Sequence, residues 1–240
     1  MFFQFKDIPA IILLAGGVYY SLKGKKLTVA AAFTGFLCGL IIYSGAGYTG
    51  LIMLTTFFLL GTLSTGWGRK VKQLLDKPND AVQRKSTQVL ANAGTGTLCA
   101  LLMLISPARA DIFLLMLSAG FASATADTLS SELGMIYGQN FYNCITWRKD
   151  QKGLDGVVSL EGTLIGTAGA VVIALIYGLG TQFNYFVLII IIAAVLGNFS
   201  DSLFGASLER RNLIHNDWVN FLSTLLAAGA ALLLSLMELQ

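Results

Sequence analysis

Tyr185-Phe-Val-Leu-Ile-Ile-Ile-Ile-Ala-Ala-Val-Leu-Gly-Asn198-Phe-Ser-Asp201-Ser-Leu-Phe-Gly205-Ala is an almost unbroken apolar stretch that closes on a carboxylate. Its length, about 20 residues, is what an α-helix needs to cross the hydrocarbon core of a bilayer. Residues 111–131 follow the same plan and close on Ala126-Asp127-Thr-Leu. Ionisable groups at membrane depth are costly, and chains keep them mainly for ion, substrate or catalytic work.

Working outward from these two runs, the 240 residues are 55% hydrophobic and 12% charged. Apolar runs of spanning length take up nearly all of them, so the expectation is a single all-α integral membrane domain over residues 1–240. Eight spans are expected, at about 5–22, 27–44, 49–66, 87–106, 111–131, 158–179, 185–206 and 217–237. The basic Lys23-Gly-Lys-Lys26 after the first run, with no Ala-x-Ala site, reads as a retained helix rather than a cleaved signal. Of the sixteen Lys and Arg residues, all but Lys6 and Arg109 fall in the connections 23–26, 67–86, 132–157 and 207–216. Because cytoplasmic loops carry the excess of Lys and Arg, these four face the cytosol. Both termini are then outside, in the inner cell membrane. Cys38, Cys99 and Cys144 offer no disulfide framework and read as free thiols.

The 26 glycines lie largely inside the spans. Ser159, Gly162, Thr163, Gly166 and Gly169 form one stripe; Gly120, Ser123, Ala124, Asp127 and Ser131 a second; Ala194, Gly197, Asn198, Asp201 and Gly205 a third. Small residues let membrane helices approach closely, which explains most of these positions as packing seams. It does not explain the two aspartates. A weak direct repeat relates 84–132 to 155–205: Asn92-Ala-Gly-Thr-Gly-Thr echoes Glu161-Gly-Thr-Leu-Ile-Gly-Thr, and both halves close on Asp-(Thr/Ser)-Leu.

The polar groups gather at the cytosolic ends. Ser64 and Thr65, with Arg69 and Lys70 beyond, close the third span; Arg84, Gln88 and Asn92 open the fourth. Asp127, Ser131 and Glu132 close the fifth, and Asp155, Ser159 and Glu161 open the sixth. Asn198, Asp201 and Ser202 close the seventh, and Asn220 and Ser223 open the eighth. A transport path would need polar lining through to the other face. A one-sided cluster suits a site taking one substrate from the cytosol and another from the membrane. Asp127, Asp201, Glu132 and Asp155 are hard oxygen ligands, and one or two carboxylates plus substrate phosphates are the usual way to hold Mg²⁺. Arg84, which also serves topology, offers a planar fork for phosphate, and Lys70 a point charge. Gln88, Asn92, Ser131, Ser159, Thr163, Ser202 and Asn220 are expected to bind substrate or nucleotide. His215, the only histidine, reads as a solvated loop residue. There is no Walker A loop and no Rossmann fingerprint, and no nucleic-acid partner is expected.

Five ordered blocks resemble the membrane proteins grouped with phytyl-phosphate kinase and transmembrane protein nineteen. They are Arg84-x3-Gln88-Val-Leu-Ala-Asn92-Ala-Gly94; Ala126-Asp127-Thr-Leu-Ser-Ser-Glu132-Leu-Gly134; Gly153-x-Asp155-Gly-Val-x-Ser159-Leu-x-Gly162-Thr163; Asp201-Ser-Leu-x-Gly205-Ala; and Asn220-Phe-Leu-Ser-Thr. The chain departs from the family at Ala93, at Leu129-Ser-Ser and in the loop Arg148-Lys-Asp-Gln-Lys-Gly, while the polar positions stay in place. The resemblance implies a kinase that phosphorylates an isoprenyl monophosphate to the diphosphate from a nucleoside triphosphate, with CTP the expected donor and ATP the alternative. Asp127, Asp201 and Arg84 would carry catalysis.

The chemistry is compatible with that implication. A phosphate monoester has a second pKa of about 6 and is already anionic at neutral pH, so its kinase needs charge neutralisation and alignment more than a base. Residue types leave open a cytidylyltransferase making a CDP-lipid, a kinase acting on an isoprenol, and a carrier for lipid phosphates or cations.

Overall fold

A computed structural model describes residues 5–73 and 83–237. Lys77 and the side chain of Lys6, both used in the charge argument, lie outside what it describes. The chain is nearly all helical: α1 (Ile8–Lys23), α2 (Val29–Gly66), α3 (Arg69–Gln73), α4 (Ser86–Ile105), α5 (Ala110–Tyr137), α6 (Leu160–Gly180), α7 (Phe186–Phe204) and α8 (Asn216–Met237). A two-residue antiparallel ladder joins β1 (Tyr142–Asn143) to β2 (Val157–Val158), with Tyr142 opposite Val158.

Six of these helices are long and apolar enough to cross a membrane, and α1 is a shorter apolar helix of 16 residues. Two expected spans, 27–44 and 49–66, are both contained in the 38-residue α2. At about 1.5 Å per residue a straight helix of that length would far exceed the bilayer core. It is not straight. Gly47 has φ 61° and ψ −151°, a conformation open essentially to glycine alone, and it turns the chain back on itself. Ala31 and Ala32 of the first half join Phe58 of the second in one cluster with Leu27 and Val89. All eight expected apolar segments are therefore helical, with the expected break at 45–48 made by one residue.

The surface is inverted relative to a water-soluble bundle. Large apolar side chains such as Leu98, Ile105, Leu164, Leu179, Leu188 and Leu233 point outward, while alanines and the hydroxyl residues Ser118, Ser123, Thr125 and Thr224 are buried. Association in lipid relies on close packing and interhelical hydrogen bonds rather than on hydrophobic burial, and this distribution follows from that. Thr95 and Thr224 exchange a 2.9 Å bond between α4 and α8. The central helix is α5, which packs against α2, α4, α6, α7 and α8. Gly162, Gly166 and Gly169 of α6 lie against it: a β-carbon at Gly166 would sit 2.6 Å from the Ala126 carbonyl oxygen, and one at Gly162 2.9 Å from that of Ser130.

α5 also runs beyond its expected end at 131, to Tyr137. Its last turns are held by the turn that follows α2: Trp67 Nε1 donates to Tyr137 Oη (2.9 Å), and Gly68 lies against Ile136. Glu132 is thus on a helix rather than in a loop. The Lys/Arg-rich connections meet at one end of the bundle. Arg84 N–H donates to Lys26 O and Thr28 N–H to Arg84 O, and Gly156 lies against Ala206. At the other end Tyr43 Oη donates to buried Asp7 (2.7 Å) and Gly180 abuts Thr49.

Gly166→Ala should lower the unfolding free energy in detergent by about 1–3 kcal/mol, the usual cost of overpacking. Gly229→Ala, whose added carbon meets nothing within 4 Å, should stay within about 0.5 kcal/mol of the parent. Equal melting curves for the two variants would show that the α5–α6 seam is not set by backbone contact.

Candidate functional site

Asp127 lies three turns from the end of α5 and Asp201 in the last turn of α7. Both are half-buried, and their carboxyl groups are in hydrogen-bond contact. Seams of small residues bring the two helices this close. Gly197, one turn before Asp201, packs on Ser123, one turn before Asp127, and on Ala227 of α8. Buried Ser223 of α8 donates to Asp201 Oδ2 at 3.1 Å and lies one turn after Asn220, whose carbonyl it also contacts. Ser130 Oγ reaches buried Asn198 Oδ1 at 3.2 Å, tying α5 to α7 a second time. Two carboxylates in contact repel unless a proton or a cation lies between them.

More negative charge surrounds the pair. Glu132 and Glu209 act electrostatically on Asp127, and Asp155 on Asp201. Among the described residues no three His, Cys, Asp or Glu side chains surround one point as a ready metal cage. The donor set suits a hard cation held by two carboxylates and completed by substrate oxygens, the common arrangement for Mg²⁺. Glu209 has no counterpart in the sequence reading. It ends a π-helical turn, Gly205–Glu209, that continues α7. Such turns are rare and concentrate at functional sites.

A second cluster lies on the other flank of α5. Arg84 Nη2 donates to Thr65 Oγ1 (3.1 Å) and to Gly61 O (3.4 Å). Lys72 on α3 pairs with Glu132 and donates to Ser64 O at 2.8 Å. Glu132 also acts electrostatically on Arg84, so it stands between the acidic pair and the basic group. Lys70, expected to help here, is exposed; two residues along the short α3, it is Lys72 that turns inward. A cavity of about 110 Å³ is lined by Arg84, Gln88 and Asn92 together with residues of α1, both halves of α2 and α4.

Several expected ligands already have partners. Gln88 Oε1 accepts from Lys85 N–H at the start of α4 (2.9 Å), and Asn92 Nδ2 donates back to Gln88 O (3.0 Å). Ser159 caps α6 by accepting from Gly162 N–H (3.1 Å). Ser131 donates to Thr128 O and Ser202 to Asn198 O. Thr163 is exposed, off the stripe that faces α5, and its hydroxyl bonds to Ser159 O.

The connection between α5 and α6 is latched to the turn after α7. Arg210 Nε donates to Asp155 O and Nη1 to Asp150 Oδ2 (2.9 Å). Cys144 Sγ donates to Ser202 O at 3.2 Å, and burial pushes that thiol's pKa up, so Cys144 is no activated nucleophile. The Gln151 N–H and then the Arg210 guanidinium hold the Asp150 carboxyl below the ordinary carboxylate range. His215 is exposed, as expected.

A bundle of apolar helices with a touching acid pair and a nearby guanidinium at one end defines a polytopic membrane protein with a one-sided polar site. The chain belongs to the family described as integral membrane protein DUF92, whose pattern covers residues 11–228. It is 33% identical to the uncharacterized membrane protein MJ0933 of Methanocaldococcus jannaschii over 203 residues, 85% of this chain and 83% of that one. It is 30% identical to the uncharacterized membrane protein sll0875 of Synechocystis sp. over 214 residues, 87% and 82%. With the chloroplastic protein VTE6 of Arabidopsis thaliana it shares 26% identity over 226 residues, 89% and 67%. No solved structure matches it.

A carboxyl with a depressed folded-state pKa stabilises at pH above its unfolded value, and that contribution is lost as pH falls through the folded value. Amide hydrogen exchange over 141–157, corrected for intrinsic rate, should therefore rise in the wild type below about pH 4. Asp150→Asn should show the faster exchange already at pH 7, with a smaller further change in acid. An unaltered exchange pattern in that variant would remove the latch.

Proposed function

We propose that this protein is a phosphotransferase of the membrane. It converts an isoprenyl monophosphate to the diphosphate at the expense of a nucleoside triphosphate, CTP by the resemblance of its motif blocks. The observation that carries this reading is the contact between Asp127 and Asp201 at the same end of the bundle as Arg84 and its apolar cavity. The likeness to VTE6 along 89% of this chain supports the reading. The basic end faces the cytosol in this reading, where the nucleotide is found.

Asp127 and Asp201 would hold Mg²⁺, with triphosphate oxygens completing the shell; Glu132, Glu209 and Asp155 keep that region negative. Mg²⁺ supplies charge neutralisation to the phosphates when bound. Arg84 grips the acceptor phosphate with its fork, Lys72 steadies Glu132 between the two clusters, and Asn220 and Ser223 fix Asp201. An oxygen of the lipid monophosphate attacks the γ-phosphorus, the bond to the bridging oxygen breaks, and the nucleoside diphosphate leaves with that oxygen. The attacking oxygen is already anionic, so no group must take a proton.

Purified protein in nanodiscs, given phytyl monophosphate, Mg²⁺ and CTP or ATP, should yield phytyl diphosphate and nucleoside diphosphate by mass spectrometry. A CDP-lipid with pyrophosphate would make it a cytidylyltransferase, and no turnover across a panel of prenyl phosphates would end the enzyme reading. Asp127→Asn and Asp201→Asn should each lower kcat at least about 100-fold, roughly 2.7 kcal/mol, while the protein still folds and inserts. Near-normal turnover in either variant removes that residue from the site.

A further inference from the structure

The cavity behind Arg84 has a shape and polarity that the acid pair does not require. Most of its walls are apolar, with Leu14, Val18, Phe36, Leu54 and Phe58 among them. Arg84, Gln88 and Asn92 are grouped at the end where α4 begins. The cavity's width comes from absent side chains. Gly17 on α1 and Gly35 on α2 both line it; a β-carbon on Gly17 would meet nothing within 4 Å, and one on Gly35 only Val89 Cγ1 at 3.9 Å.

The geometry points to a tail-and-head site for a single-chain lipid phosphate: the apolar chain lies between α1, the folded α2 and α4, and the phosphate meets Arg84. This deepens the proposed function by assigning the acceptor lipid to α1, α2 and α4 and leaving the acid pair across α5 for the nucleotide. Charge complementarity selects the occupant. A guanidinium bonded to one hydroxyl and one carbonyl at the mouth of an apolar cavity favours an anionic head over an alcohol. The cavity is small, about 110 Å³, which favours one apolar chain over the two of a bulk phospholipid. Gly17 and Gly35 are then the positions that set the chain length and branching accepted.

The test uses a prenyl monophosphate of phytyl length with a diazirine at its tail end, photolysed with the full chain in nanodiscs without nucleotide. Saturable labelling should map to peptides of α1, α2 and α4. Phytyl monophosphate should compete at least about tenfold better than phytol. Gly17→Phe and Gly35→Phe should each cut saturable labelling at least about tenfold. Gly16→Phe should not, since Gly16 is exposed one position round the same helix. In turnover the two filled variants should lose the phytyl substrate and retain dimethylallyl monophosphate. Labelling that does not saturate, or that survives in Gly35→Phe as in Gly16→Phe, overturns the cavity assignment even in an active enzyme. Saturable labelling of a protein that turns over no lipid phosphate upholds the cavity and overturns the kinase.

Discussion

Asp127 and Asp201 touch inside a bundle whose other interior groups are mostly alanine, glycine and hydroxyl side chains. Bringing two like-charged groups together in a medium of low polarity is costly, and the surroundings are arranged to make it tolerable. Ser223 donates to one of them, and the helices are held in register by backbone contact at glycine rather than by side chains that would rotate away. The register is set along the length of α5, α6, α7 and α8, so the separation of the two carboxyls is a property of the whole bundle.

α5 is the element through which this works. It carries Asp127 and Glu132, five residues apart, toward different neighbours: Asp127 toward α7, and Glu132 toward the Lys72–Arg84 region beside α2 and α4. What reads in the sequence as one polar gathering becomes two adjacent subsites with an acidic side chain between them. That division suits a reaction with two phosphate-bearing substrates of opposite solubility. In the proposed reaction one arrives dissolved in water and one in lipid, and the two meet across a single helix.

Much of this was legible from residue order. The apolar segments declared themselves by length, and Asp127 and Asp201 were expected together because each closes a run pointing the same way. Other features depended on local geometry that periodicity does not carry. Lys70 and Lys72 are equivalent as composition, and only the short α3 decides which turns inward. Glu209 reaches the pair through a π turn, which leaves no mark on the hydrophobic pattern. Gln88 and Ser159 looked like ligands because amides and hydroxyls bind phosphate, yet the same chemistry lets them satisfy helix starts, while Asn92 donates back along its own helix. Thr163 fell off its stripe because a four-residue step from Ser159 and a one-residue step from Gly162 lead to different sides of α6. The cavity behind Arg84 was hidden because it is made by the fold of α2 at Gly47.

The guanidinium at that cavity is placed by main chain. The Arg84 N–H donates a hydrogen bond to Lys26 O and the Arg84 carbonyl accepts one from Thr28 N–H, forming a one-rung parallel bridge with Leu27. Peptide groups are the same at every position, so this anchorage does not depend on which side chains occupy the neighbouring turn. The side chains between α1 and α2 can therefore change while the positive charge stays where the chain's path has fixed it.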